Sequence, residues 1–266
     1  MKILPGEQLS AEWFQAHCGV VSGSYMSHVL AFNRNGPMAK RLSYQRMKLA
    51  ELVSGEVDSD NYCSKDMLAG IEREPRARAL YELEESEAAG EPVMVEEVGF
   101  ALHDTVPRFG GSVDGLVGED GMIEIKCPRL GTHLAWLIAG CVPPAHVPQI
   151  NSYLAITGRA WCDFVTFHPA APIGRKIMTI RWQRDDLAIA RMLDQVIRFN
   201  DEIDDMVERL QALGEPFELP AAQAAKVAGE QFTEQEDASL GISDEDIAWA
   251  AGGFRNGDED GADDDH

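Results

Sequence analysis

The stretch at 112–128, SVDGLVGEDGMIEIKCP, constrains this chain more than any other. GEDG at 118–121 is a turn former between two short apolar runs, so the segment reads as a tight hairpin with strands over 111–117 and 122–126. Side chains alternate faces along a strand. Ile123 and Ile125 therefore turn together into the core, and Glu124 and Lys126 turn together to the other face. Folding back at the turn brings Asp114 opposite residues 124–125. Two carboxylates and an ammonium on a half-buried face are costly unless they bind something. Facing carboxylate oxygens suit Mg²⁺ or Mn²⁺, and the Ile125 carbonyl adds a further oxygen. A lysine beside such an ion orients or deprotonates a water, and the three together describe phosphodiester hydrolysis. The competing reading of the hairpin alone is a surface salt bridge from Lys126 to Glu124 or Asp114.

The elements around the hairpin mix helices and strands, which makes the fold class α/β. Short helices are expected over 9–19, with Ser10 as cap, and over 22–32, followed by a turn at 33–37. A longer helix over 38–53 carries Lys40, Arg41, Arg46 and Lys48, a candidate face for a nucleic-acid backbone or simply a solvated one. Residues 65–90 are helical in composition, but Pro75 predicts either a kink or a second helix starting there. A strand is expected over 93–102, short helices over 132–140 and 147–158, and strands over 161–169 and 176–183. A long amphipathic helix over 185–213 closes the body. The expected division is a domain over 1–215 and an acidic, disordered tail over 216–266, with one short helix around SDEDIAWAA.

Charge and cysteines limit the function classes. The formal net charge is −22, and residues 220–266 hold thirteen acidic residues against Lys226 and Arg255, leaving −11 on the body. Nucleic-acid binding on such a body must rest on local basic patches and divalent metal. Five scattered cysteines without CxxC pairing fit a reducing compartment and the role of small apolar residues. No run of about 18 apolar residues occurs and the N-terminus lacks a signal peptide's apolar core, so a cytoplasmic protein without a membrane span is expected. His103, Asp104 and His168 are read as turn or loop residues, and Trp136, Trp161 and Trp182 as core or interface rather than base-stacking platforms.

The stretch GGSVDGLVGEDGMIEIKCP resembles the PD-(D/E)xK nucleases, and more narrowly the lambda-type, YqaJ-like phage exonucleases of the RecB-like group. GIEREPRARALYE at 70–82 is similar to that family's helix through Gly70, Glu74, Ala77, Arg78, Tyr81 and Glu82. QINSYLAITG resembles its glutamine helix, with Gln149 as the active-site glutamine, and Trp13, Gly19 and Ser24 match its N-terminal segment. The resemblance implies a central mixed β-sheet flanked by helices and a 5′→3′ exonuclease acting on ends of double-stranded DNA with two Mg²⁺ ions, for which Mn²⁺ may substitute. Asp114 would bridge the metals, Glu124 and the Ile125 carbonyl would hold the one that activates water, and Glu74 the other. Lys126 and Gln149 would serve the nucleophile. Ser24, Ser112, His17 and Arg78 would contact DNA or its phosphates, although His17 stands where the family has an arginine that grips the 5′-phosphate. Pro75 puts the aim of Glu74 in question, with Glu72 as the fallback. A toroidal homotrimer and a single-strand annealing partner are further implications, and no iron–sulfur cluster is expected. A nuclease of other polarity, an endonuclease, and a non-catalytic DNA clamp or adaptor are the alternatives.

Overall fold

A computed structural model describes residues 1–4, 15–57, 65–215 and 217–220, the side chains of 65–68 excepted. The expected tail helix, most of the 216–266 segment, Ser10, Trp13 and Cys63 lie outside the described residues. The strands are β1 Lys2–Ile3, β2 Val21–Ser22, β3 Phe32–Asn33, β4 Gly36–Pro37, β5 Val95–Glu96, β6 Phe100–Leu102, β7 Phe109–Ser112, β8 Gly115–Val117, β9 Gly121–Lys126, β10 Trp161–Phe167 and β11 Ile177–Gln183. The longer helices are α1 Ala39–Ser54, α2 Lys65–Ala89, α3 Leu130–Ala139, α4 Val147–Thr157 and α5 Asp186–Gln211. A helical turn at Met26–Val29 precedes them.

The central sheet runs β11-β10-β9-β8-β5 and is mixed: β9 and β10 are parallel, the other pairs antiparallel. The parallel pair needs a crossover, which α3 and α4 supply. Strands β9 and β10 are almost wholly buried, as helices on both faces require. Ala77 and Tyr81 of α2 pack with Ile123 and Ile125 on one face. Met122, Phe164 and the apolar residues of α4 and α5 form the larger core on the other. The expected alternation along 122–126 is therefore realised.

Two expected strands are each broken in two, and the breaks coincide. The strand expected over 93–102 becomes β5 and β6, and the one over 111–117 becomes β7 and β8. In each case the first and second parts belong to different sheets, because β6 and β7 lie in a second sheet of order β1-β6-β7-β2. The two-stranded ribbon thus switches sheets at residues 97–99 and 113–114. Arg78 explains how the switch is tolerated: its guanidinium donates to the Glu97 carboxylate and to the Asp114 carbonyl, at 3.2 Å, so groups at both breaks have a partner.

Pro75 does not divide its helix. α2 is one element of 25 residues with Pro75 inside it. Pro75 is exposed, so the carbonyl that loses its donor there is on the solvent side. The helix is also pinned beyond it, since Tyr81 donates to the buried Asp163 of β10 at 2.8 Å and Arg181 grips the same carboxylate at 2.9 and 2.8 Å.

The basic face expected on α1 is corrected. Arg41 is buried, donates to both Glu202 oxygens of α5 at 2.9 and 2.8 Å, and sits 4.8 Å from the Phe32 ring and 4.7 Å from the Phe199 ring. Lys48 is buried against Glu51. Only Lys40 and Arg46 of the four are exposed. The reason is helical geometry: residues 41, 45 and 48 share the face that packs on α5 and the N-terminal segment. Among the described residues, no helix is long and apolar enough to cross a membrane.

Candidate active site

The site forms where β8 stops and β9 continues. Gly115 pairs with Ile123, so Asp114 falls level with Glu124, beyond the last paired residue. Asp114 Oδ2 accepts the Ile125 N–H at 2.6 Å and takes the place of the missing strand. A strand residue's N–H and C=O point to the same edge, so the Ile125 carbonyl opens toward Asp114 as well. Lys126 Nζ lies 2.7 Å from Glu124 Oε1. From the opposite face, Glu74 of α2 reaches the same edge and holds Arg78 at 2.9 Å. Glu74, Ala77, Arg78 and Tyr81 share one helix face, whereas Glu72 is exposed, so α2 aims Glu74 and not the fallback residue at the sheet.

Electrostatics mark these carboxylates as short of positive charge. Burial, and then the Asp114 charge, push the Glu74 carboxyl up to about 7. Burial pushes Glu124 up to about 8 despite Lys126, and raises Asp114 as well. Burial works against the Lys126 ammonium, but Glu124 and Asp114 outweigh it and hold the proton on. Glu124 is 0% exposed; its Oε1 meets only the Lys126 ammonium, at 2.7 Å, and its Oε2 has no hydrogen-bond partner among the described residues. A buried carboxylate in that condition is costly.

The residues present fit a magnesium-type ion. Mg²⁺ keeps several waters and is held by one or two carboxylates rather than by an all-protein cage. Among the described residues no group of three or more His, Cys, Asp or Glu is gathered tightly enough to hold an ion, so an ion here would rest on one or two carboxylates completed by water. The Glu124 carboxylate, Asp114, the Ile125 carbonyl and Glu74 supply hard oxygens of the kind such an ion takes.

Gln149 stands on α4 and donates to the Tyr153 hydroxyl at 3.5 Å. Tyr153 is in turn hydrogen-bonded to Ser24, and Glu124 and Asp114 act on its phenol electrostatically, so Gln149, Ser24 and the carboxylates are neighbours. Ser112 ends β7 two residues before Asp114. His17 is half-buried with its ring 3.9 Å from that of Phe100. Arg78 is not laid out as a DNA contact: its side chain is 12% exposed and spans Glu74, Glu97 and the Asp114 carbonyl.

Two neighbours of the site are absent from the sequence reading, and a third, Tyr153, enters it only as part of the glutamine helix, four residues from Gln149. Arg73 lies within electrostatic reach of Cys127 and His168, one turn of helix from Ala77. His146 precedes α4 against Trp136 and Phe164, and burial and then Lys126 lower its imidazole to about 4. Residues set aside from the sequence are structural. The His103 ring accepts two backbone N–H groups, and Asp104 pairs with the N-terminus. Trp182 donates to Asn151 at 3.1 Å, and Trp136 packs edge-on to Phe164.

A mixed sheet whose hairpin presents Asp114 and Glu124-Ile125-Lys126 at an open edge, with a helix delivering Glu74, has the architecture of the PD-(D/E)xK nucleases. Comparison narrows the class. The family model of the YqaJ-like viral recombinase domain matches residues 12–160, and the chain belongs to that family. The fold is also that of an alkaline exonuclease, LHK-Exo from Laribacter hongkongensis, at 34% identity and a TM-score of 0.68, covering 76% of this chain and 97% of that one. A structure of LHK-Exo in complex with dAMP matches with the same figures. A phage-related exonuclease from Haemophilus somnus 129PT shares the fold at 16% identity and a TM-score of 0.54, covering 72% of this chain and 96% of that chain. No curated protein matches. The chain is therefore a nuclease of the alkaline-exonuclease type, in a family of recombination enzymes.

Proposed function

We propose that this nuclease is a Mg²⁺-dependent exonuclease that degrades one strand of linear double-stranded DNA from its 5′ end and leaves a 3′ single strand for recombination. The observation that carries the metal dependence is the fully buried Glu124 carboxylate, whose Oε2 has no partner among the described residues and whose Oε1 meets only Lys126, beside Asp114. Asp114, Glu124, the Ile125 carbonyl and Glu74 would hold two ions, Mn²⁺ serving in place of Mg²⁺. Bound there, divalent ions supply a nucleophilic water at neutral pH and charge stabilisation of the phosphorane-like transition state. Lys126, 2.7 Å from Glu124, would position or activate the attacking water. Gln149 orients the same water. Ser24 and Ser112, at adjoining strand ends, bind the terminal phosphate, and His17 is assigned there in place of an arginine. Arg78 keeps Glu74 and the backbone at Asp114 in register.

The polarity and the duplex substrate rest on kinship with the family, as do a ring of three subunits, a single-strand annealing partner and action in the host cytoplasm. The test uses linear duplexes labelled separately at each 5′ and 3′ end, with circular duplex as control, in Mg²⁺. Early release of 5′ label with retained 3′ label and intact circles is the expected result. Early 3′ release or nicked circles would replace the proposal by a nuclease of the other polarity or an endonuclease.

A further inference from the structure

Tyr153 joins parts of the site that no role given above connects. Its side chain is buried, and its ring occupies space left by two glycines from separate elements. A Cβ on Gly23 would lie 2.6 Å from Tyr153 Cε1, and one on Gly111 would lie 2.6 Å from the same atom. Gly23 begins the turn after β2 and Gly111 is in β7, so the ring touches both strands whose ends carry Ser24 and Ser112. Even a methyl group at either glycine would drive the ring out.

The hydroxyl is as specifically engaged as the ring. It accepts from Gln149 Nε2 at 3.5 Å and is hydrogen-bonded to Ser24. Ser24 Oγ is 2.9 Å from Ser22 Oγ, and the Ser22 N–H donates to the Tyr44 hydroxyl at 2.9 Å. One continuous chain of polar contacts thus runs from the serine turn, through Tyr153, to the glutamine. An amide is two-ended, with donors on nitrogen and acceptors on oxygen. A hydroxyl that takes the Gln149 nitrogen leaves its carbonyl oxygen as the end available to an attacking water. At 3.5 Å the bond is long, as such contacts often are before substrate arrives.

We propose that Tyr153 is a positioning residue that couples occupation of the serine turn to the orientation of Gln149, so that a seated strand end sets the glutamine for reaction. This rests on the reading of Ser24 as a phosphate contact and of Gln149 as a partner of the water. A phosphate that draws on the Ser24 hydroxyl changes what Ser24 offers to Tyr153. The tyrosine then shifts its own hydrogen bonding toward Gln149. The ring, confined between Gly23 and Gly111, cannot follow the serine by swinging away.

Tyr153→Phe removes the hydroxyl and keeps the ring. Its Tm and Mn²⁺ binding should match wild type, while kcat on a linear duplex falls about tenfold, the scale of one lost hydrogen bond to the reacting array, and KM changes little. The decisive measurement is a double-mutant cycle in kcat/KM with Ser24→Ala and Gln149→Ala, which do not touch one another directly. With Tyr153 present, the two losses should be non-additive by at least about threefold; in the Tyr153→Phe background they should multiply. Additive losses with the tyrosine present, coupling that survives its replacement, or Ser24→Ala without effect would each overturn the proposal. So would a Tyr153→Phe protein with lowered Tm and unchanged kcat. The cycle reads hydrolysis of any linear duplex, so an error in the proposed polarity appears in the end-label experiment and not here.

Discussion

Among the described residues, two Lys–Glu ion pairs have a fully buried acid, and they differ in completeness. In α1, Lys48 donates to both oxygens of Glu51 at 2.9 and 2.8 Å, and Glu51 Oε2 also accepts the Gly19 N–H at 2.7 Å. The lysine lies 5.5 Å from the Tyr44 ring, and the two side chains are 5% and 0% exposed. In β9, Lys126 approaches Glu124 Oε1 to 2.7 Å, its side chain is 29% exposed, and Glu124 Oε2 has no hydrogen-bond partner among the described residues. The first pair is finished within the protein and ties the N-terminal segment to α1. The second is unfinished, lies at an open sheet edge, and shares its surroundings with Asp114 and Glu74. Identical residue types therefore form a closed structural lock in one place and an incompletely satisfied pair at the proposed site in the other.

Replacing the two lysines in turn separates the roles most sharply. Lys126→Ala should lower hydrolysis by on the order of 10²–10⁴-fold, with the fold retained. Lys48→Ala leaves a buried, uncompensated carboxylate and should cost roughly 3–5 kcal/mol of stability, with the activity per folded molecule unchanged. Denaturant melts and active-site-normalised rates check both. Activity of Lys126→Ala within about tenfold of wild type, or an undisturbed melt of Lys48→Ala, would erase the distinction.

The acids predict a pH dependence of opposite character. Glu124 has a folded-state value near 8 against 4.5 for the free side chain, so the metal-free fold prefers its protonated form. Its contribution to stability is complete below about pH 4.5 and is lost as pH rises through 8, by at most about 1.4 kcal/mol per pH unit. Glu124→Gln does not titrate, and Lys126 stays charged throughout. The stability of Glu124→Gln relative to wild type should therefore climb between pH 5 and 9 without metal. A flat difference over that range would show that Glu124 is already satisfied.

Glu74 and Glu72 make a smaller contrast within one helix. Glu74→Gln should cut the rate at least tenfold, and Glu72→Gln, on the exposed face, should do little. The reverse ranking in steady-state kinetics would mean that α2 turns differently at Pro75. Smallest of all is the effect of the acidic C-terminal stretch. Deleting residues 221–266 removes thirteen acids and should tighten DNA binding several-fold at low salt, with the difference fading as salt rises. Equal affinities at low salt would exclude competition between this stretch and DNA. The deletion point follows Pro220 because Leu219 packs on the core and Pro220 lies against Gly55.

Much of this was legible in the sequence because it depended on local periodicity. The alternation Ile123, Glu124, Ile125, Lys126 and the turn at 118–121 are short-range, and the structure keeps both. The family motifs also placed Glu74 and Gln149 on helices that reach the hairpin. Long-range facts were not legible. Nothing in 93–102 or 111–117 marks where a ribbon leaves one sheet for another, and the residue that bonds to both breaks, Arg78, lies 19 residues before Glu97 and 36 before Asp114. Nor does α1 show that Arg41 and Lys48 meet Glu202 and Glu51 inside the fold. A basic residue on a helix looks the same in sequence whether its partner is a phosphate or a carboxylate 161 positions away.

The claim that the unfinished acid pair is a divalent-ion site is tested most directly by calorimetric Mn²⁺ titration at pH 8 of wild type, Asp114→Ala and Lys48→Ala. Stoichiometric binding is expected for wild type and for folded Lys48→Ala, and its loss, or reduction to weak non-stoichiometric binding, for Asp114→Ala. Undiminished stoichiometric binding by Asp114→Ala would contradict the account.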